Sequence, residues 1–177
     1  MQSPQPLYLP VPRIHDPVYR VLFVCTHNSA RSVLAEGLMN SLGQGRFVAY
    51  SAGSQPSGRV NPLALRTLQR MGLPTADCRS KDWAEFDQPG APQMDFVFTV
   101  CDNAAGEVCP IWPGKPTTAH WGVADPSACT GSDTEQAQAF WDTALILKRR
   151  IELMLALPLA TLQQEALQRE VRAIGTR

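Results

Sequence analysis

The stretch VLFVCTHNSARS, Val21 to Ser32, constrains the fold more tightly than any other part of the chain. Val21 to Val24 is an unbroken apolar run, the pattern of a strand buried on both faces, as strands of parallel sheets are. From Arg31 onward, Leu34, Leu38 and Leu42 recur at helical spacing, and Gly43 closes the stripe. Between them stand only Cys25, Thr26, His27, Asn28, Ser29 and Ala30, all small or polar except the thiol. A buried strand passing to a helix through so short a loop is an α/β unit, and the loop carries a cysteine and an arginine at its two ends.

The rest of the chain continues that alternation. Phe47 to Ser51 reads as a second strand that runs into the turn-rich SAGSQPSG. Asn61-Pro62 then opens a helix with a cap followed by proline, carries Ala64, Leu65, Leu68 and Met71 on one stripe, and stops at Gly72. Met94 to Val100 is the third expected strand and Thr118 to Trp121 the fourth. A long helix is expected over Asp133 to Leu157, with an amphipathic piece over Thr161 to Ile174 beyond Pro158. This pattern predicts an α/β fold class, a three-layer α/β/α arrangement around a four-stranded parallel sheet of order 2-1-3-4. Its switch point falls between strands 1 and 3, where ligands bind beyond the carboxyl ends. Cys25 follows strand 1 and Cys101 follows strand 3, so two thiols meet at that spot.

The chain divides into residues 1–19, a proline-rich N-terminal arm, residues 20–157, the α/β domain, and residues 158–177, a C-terminal amphipathic helical extension. The extension docks either on its own domain or on a second copy, and the oligomeric state stays open. Lys plus Arg and Asp plus Glu both number 16, giving a net charge of zero. Nucleic acid and an anionic membrane both require a basic excess, so neither is an expected partner. Any bound anion is small and held locally. The N-terminus has no basic start followed by an apolar core, and the apolar run at Ile151 to Leu162 is broken by Pro158, so neither a secretory leader nor a membrane span is expected.

A cytoplasmic location follows as the expectation, and with it reduced thiols. The five cysteines are 25, 78, 101, 109 and 129. No CxxC pair occurs, and the seven residues between Cys101 and Cys109 are not a usual zinc spacing, so no metal and no cofactor are expected. Cys78 and Cys129 read as small packing residues, and His15 and His120 as structural.

The loop itself is built for an oxyanion. Its backbone amides, from Thr26, His27, Asn28, Ser29 and Ala30 to Arg31 and Ser32, are able to turn inward at a helix N-terminus and cradle a tetrahedral anion. Arg31 adds a planar fork for two of the anion's oxygens. The same field favours the thiolate of Cys25, and Ser32 is placed to hydrogen-bond its sulfur. Asn28 tolerates left-handed dihedrals and suits a tight loop.

CTHNSARS following VLFV resembles the phosphate-binding loop of the low-molecular-weight protein tyrosine phosphatases and of the arsenate reductases that share their fold. In that family an Asp-Pro about a hundred residues later supplies an acid, and WGVADPSA provides Asp125-Pro126 here. VFTVCDNAAGEVCPIWPGKPTTAHWGVADP resembles the reductase branch more than the phosphatases. The likeness runs from about Arg20 to about Leu157, which makes that span the catalytic domain. Three departures stand out. Ala30 replaces a second loop cysteine found in many relatives, and Ser127 and Ala128 replace the aromatic residues that flank a phosphotyrosine ring. Asn28, Glu36 and Ser51 match ligands of a potassium ion held by some reductases, but Lys81 stands where an acid is expected, so its ammonium replaces the ion.

What the resemblance implies is reduction of arsenate, with Cys25 as nucleophile, Arg31 as anion clamp and Asp125 as proton donor. Cys101 then attacks the Cys25 sulfur as arsenite leaves, and Cys109 takes the disulfide outward for thioredoxin, or glutaredoxin with glutathione, to reduce. Two other readings stand beside it. Phosphotyrosine hydrolysis needs Cys25, Arg31 and Asp125 but neither Cys101 nor Cys109. A non-catalytic oxyanion sensor needs the cradle without a reactive thiol.

Overall fold

Strand β1, Tyr19–Cys25, lies at the centre of the molecule, and its last five residues are buried. It pairs in parallel with β2, Phe47–Gly53, on one side and with β3, Phe96–Thr99, on the other. Strand β4, Thr117–His120, completes the sheet in the order β2-β1-β3-β4, as the alternation of strands and helices required. The computed structural model describes residues 17–102, 112 and 116–177. The proline-rich arm lies outside the described residues as far as residue 16, and so does Cys109.

Helix α1, Arg31–Leu42, occupies the expected span. Helix α2, Pro62–Arg70, is capped by Asn61, whose side chain accepts from the Leu63 amide. Helix α3, Asp133–Leu155, is capped by Ser132 and carries Asp133 and Glu135 in its first turn, where they suit the helix dipole. The last helix, α4, Gln164–Ile174, starts three residues later than the amphipathic pattern suggested, because Pro158 through Gln163 form turns first.

Period-two alternation along β1 sorts its side chains into two cores. Val21, Phe23 and Cys25 join the larger one, to which all four helices contribute: Leu34 and Leu38 from α1, Leu68 from α2, Phe140, Leu147 and Ile151 from α3, Val171 and Ile174 from α4. Leu22 and Val24 face the other side with Val97 and Ala52, under Tyr50, Trp83, Phe86, Met94 and Trp112. The outer layer there includes a short 3-10 turn, Trp83–Phe86. Helix α4 docks on its own chain: Trp121 donates its indole N–H to the Val171 carbonyl at 2.9 Å, and Gln164 reaches Thr117 Oγ1 at 2.9 Å. No helix among the described residues is long and apolar enough to cross a membrane.

Sheet register decides what meets at the carboxyl edge. Cys25 is level with Gly53 of β2, and the Val100 amide continues the β1–β3 ladder by donating to the Val24 carbonyl at 3.0 Å. Cys25 and Cys101 therefore leave adjacent strands at the same end of the sheet, as the strand order predicted.

Candidate active site

Helix α1 differs from its neighbours at its N-terminus. Its cap position is Ala30, with no side-chain capping bond and no acidic residue in the first turn, whereas α2 and α3 are capped by Asn61 and Ser132. A helix end keeps unsatisfied N–H groups that some partner must meet. A helix end without a side-chain cap, set behind a short loop, is the arrangement that binds anions.

The loop carbonyls are turned outward by the segment that follows β2. Cys25 O accepts from Ser54 N (3.3 Å), Thr26 O from Gln55 N (2.8 Å), His27 O from Ser57 N (3.0 Å) and Ser29 O from Asn61 N (2.8 Å). With the carbonyls held on the outside, the amides are free to converge. Gly53 is essential to this clamp: a Cβ there would stand 2.5 Å from Thr26 O and 3.0 Å from the Asn28 amide. No pattern in the sequence marks these carbonyl contacts, although the turn-rich SAGSQPSG supplied the chain that makes them.

Cys25 is buried and its thiol is free. Its sulfur takes the Asn28 amide at 3.2 Å and lies 2.9 Å from Ser32 Oγ, which itself accepts from Asn28 Nδ2 at 2.8 Å. Asn28 has φ of 47°, the only described non-glycine residue in the left-handed region, and its Oδ1 accepts from the Lys81 amide at 2.7 Å. One asparagine thus bends the loop, orients Ser32 and ties the loop to residue 81.

The Lys81 ammonium is buried against Ser51 Oγ (3.4 Å) and the Arg79 carbonyl (3.0 Å), with Glu36 at 3.6 Å. Lys81 therefore stands among the residues matched earlier to an ion site. Burial pushes the Glu36 carboxyl above its ordinary 4.5 even though Lys81 and Ser51 pull it down. Cys78 lies nearby, and burial, then Glu36, push its thiol up, which makes it a poor nucleophile. Among the described residues, no group of three or more His, Cys, Asp or Glu is arranged to hold a metal.

Arg31 is 4% exposed and spans the site. One end of its fork donates to the Val123 carbonyl at 3.2 Å, and the other lies 3.7 Å from Asp125 Oδ2. Asp125 is one-third exposed; its Oδ1 caps the short turn Pro126–Ala128 by accepting from the Ser127 amide (2.9 Å) and hydroxyl (2.7 Å). The loop, the Arg31 fork and the Asp125 side chain thus converge. His27 is exposed at the rim, its ring N–H facing the Gln55 carbonyl, and Ser29 and Ala30 contribute through backbone alone. Cys101 is fully buried and disulfide-bonded, while the other described cysteines, Cys25, Cys78 and Cys129, are free. Sequence reasoning missed Gly53 and the Val123 carbonyl, whose contacts appear only once distant segments meet.

A thiol set in an amide cradle at the switch point of a parallel sheet, with an arginine fork and an acid opposite, defines an enzyme that works on tetrahedral oxyanions by cysteine chemistry. Residues 20–172 match the low molecular weight phosphotyrosine protein phosphatase family, and the chain belongs to it. An arsenate reductase of Halalkalibacterium halodurans is 35% identical over 120 residues, which is 68% of this chain and 83% of that protein. Among solved structures, the arsenate reductase of Archaeoglobus fulgidus is similar with a TM-score of 0.58 and 29% identity, over 75% of this chain and 98% of that one. A thioredoxin-dependent arsenate reductase of Corynebacterium glutamicum matches with a TM-score of 0.50 and 26% identity, over 80% of this chain and 65% of that one.

Proposed function

We propose that this protein is an arsenate reductase that works through a relay of thiols. Arsenate has the shape and charge of phosphate, so the cradle accepts it. The Cys25 thiolate, stabilised by the Asn28 amide and Ser32, attacks arsenic, and one oxygen leaves as water with a proton from Asp125. The Cys101 thiolate then attacks the Cys25 sulfur. A disulfide forms, the sulfur–arsenic bond breaks, and its electron pair stays on arsenic, which leaves as arsenite. Cys109 next attacks the Cys101 sulfur and releases Cys25 as a thiolate. The remaining Cys101–Cys109 disulfide is reduced by an external dithiol.

The observation that carries this reading is the placement of the thiols. Cys25 is free inside a finished cradle, and Cys101, which is disulfide-bonded, lies buried at the same end of the neighbouring strand, where a relay needs its second sulfur. A phosphatase has no use for the second sulfur. The absence of aromatic residues after Asp125-Pro126, where Ser127 and Ala128 are exposed, also favours a small inorganic substrate over a phosphotyrosine. The similarity to a thioredoxin-dependent reductase favours thioredoxin over glutaredoxin with glutathione as the dithiol. The Lys81 ammonium supplies the positive charge beneath the loop, so the reaction runs without a metal.

Cys109→Ser separates the steps. Arsenite leaves before Cys109 acts, so the variant releases about one arsenite per enzyme and then stalls with Cys25 linked to Cys101, a bond poorly exposed to a protein reductant. Peptide mapping identifies the linked pair. Normal cycling with thioredoxin would remove Cys109 from the relay, and a glutathione adduct on Cys101 would then take its place.

A further inference from the structure

Arg150 lies on α3, far along the chain from every residue assigned above, and is only 7% exposed. Its hydrogen-bond partners are all main-chain oxygens: Nη1 donates to the carbonyls of Trp121 at 2.8 Å and Gly122 at 3.1 Å, and Nε to an oxygen of Arg177 at 3.1 Å. Burial works against its charge and pulls the guanidinium below its ordinary arginine value. A buried cation set against carbonyls is a costly way to fill space, and an apolar side chain of similar size would serve packing better. What the guanidinium supplies is direction, because its planar fork holds carbonyls in fixed positions.

Two of those carbonyls immediately precede the one that matters for the anion. Val123 O accepts from Arg31 Nη1 at 3.2 Å, and two residues on, Asp125 lies 3.7 Å from Arg31 Nη2. The segment from Trp121 to Asp125 is therefore gripped by Arg150 from the α3 side and by Arg31 from the cradle side. Gly122 permits the close passage: a Cβ there would stand 2.6 Å from the Cys101 carbonyl and would collide with the His120 ring. The cradle itself is fastened elsewhere, by residues 54–61 and by the Lys81 amide, none of which hydrogen-bonds Arg150.

From this we infer that Arg150 is a positioning residue: it holds the segment from Trp121 to Asp125 so that the Val123 carbonyl aims the Arg31 fork at the bound oxyanion. The inference rests on the reading of Cys25 and Arg31 as the anion site but not on arsenic being the substrate. The two halves of the site are thereby separable, since Arg150 governs the clamp and leaves the thiol loop alone.

The test uses the full reduced chain and inorganic phosphate as the probe. Alkylation of Cys25 by iodoacetamide is followed by peptide mapping, with and without increasing phosphate, in wild type, Arg150→Met and Arg150→Lys. Phosphate protects Cys25 in the wild type. In Arg150→Met the phosphate concentration for half protection rises roughly tenfold, as expected for a misaimed contact. The unprotected alkylation rate stays at the wild-type value, since the loop's own bonds are intact. Arg150→Lys keeps the charge but loses the planar fork, and it retains a several-fold loss. If Arg150→Met does not fold, which thermal melting reports, Arg150→Lys carries the test. Wild-type protection in a folded variant, or full recovery in Arg150→Lys, would overturn the inference and leave Arg150 a structural residue or a distant charge. If phosphate fails to protect even the wild type, the anion site itself is misread and the inference falls with it.

Discussion

The two sides of the catalytic edge are built differently. On the β1–β2 side, Cys25, Asn28, Arg31 and Ser32 come from one stretch of chain, and four outward carbonyls of that loop are tied to residues 54–61. On the β3–β4 side, Cys101 and Asp125 come from separate strand ends. Asp125 is one-third exposed and meets Arg31 only at 3.7 Å, while Cys101 is oxidised. On the proposed reading the comparison teaches a division of labour. The side that recognises charge is prebuilt from one stretch of chain, so that its amides need no reorganisation when an anion arrives. The side that moves protons and electrons is assembled from separate segments, brought into place by tertiary contacts such as those of Arg31 and Arg150.

The predictions test that division in order of size. Cys25→Ser removes the nucleophile from the prebuilt side, and both arsenate reduction and any aryl phosphate hydrolysis fall by more than about 10³-fold. Phosphate still binds, because the cradle does not need the sulfur; a variant that reduces arsenate at a substantial rate would end the assignment of Cys25. Asp125→Asn acts on the other side. Hydrolysis of an aryl phosphate drops by about 10²-fold, the range for a lost general acid, while the phosphate affinity measured by Cys25 protection changes little. A large loss of affinity instead would show that the acid is part of the prebuilt half.

Asn28→Ala strains the left-handed position and leaves the buried Lys81 amide without its partner. Together these cost about 2–4 kcal/mol, read as a lowered midpoint in urea. Turnover falls about tenfold as the Ser32 contact is lost with the side chain. The smallest effect belongs to His120, which faces Thr99 Oγ1 at 2.8 Å, Arg150 and Asp102. Burial, then Arg150, hold its imidazole below the ordinary 6.5, and Asp102 opposes them. The unfolded chain takes up a proton near that pH that the folded chain resists. The stability contributed by the neutral ring is therefore full above 6.5 and is lost as the pH falls below it. In His120→Gln, the drop in melting temperature between about pH 7.5 and about pH 5.5 is smaller than in the wild type. An equal drop would assign the acid sensitivity to other groups.

The sequence by itself determined the parts that depend on neighbours in the chain. Val21 to Val24 has to be a buried strand, Leu34, Leu38 and Leu42 have to line one helix face, and the short loop between them has to bring Cys25 and Arg31 to one helix N-terminus. Strand alternation then placed Cys101 beside Cys25, since the order β2-β1-β3-β4 follows from the crossover pattern. Other features have no periodicity to betray them. Gly53 is required by a backbone approach to Thr26, Val123 acts through a carbonyl that any residue type would offer, and Arg150 reaches Trp121 and Gly122 across 29 and 28 positions of chain. The same holds for α4, whose amphipathic face was plain while its choice of surface was not. That choice rests on the Trp121 indole meeting the Val171 carbonyl, 50 residues away in sequence. Local pattern encodes which face of an element is apolar, whereas contacts between distant backbones depend on how the finished layers stack, and only the tertiary structure decides them.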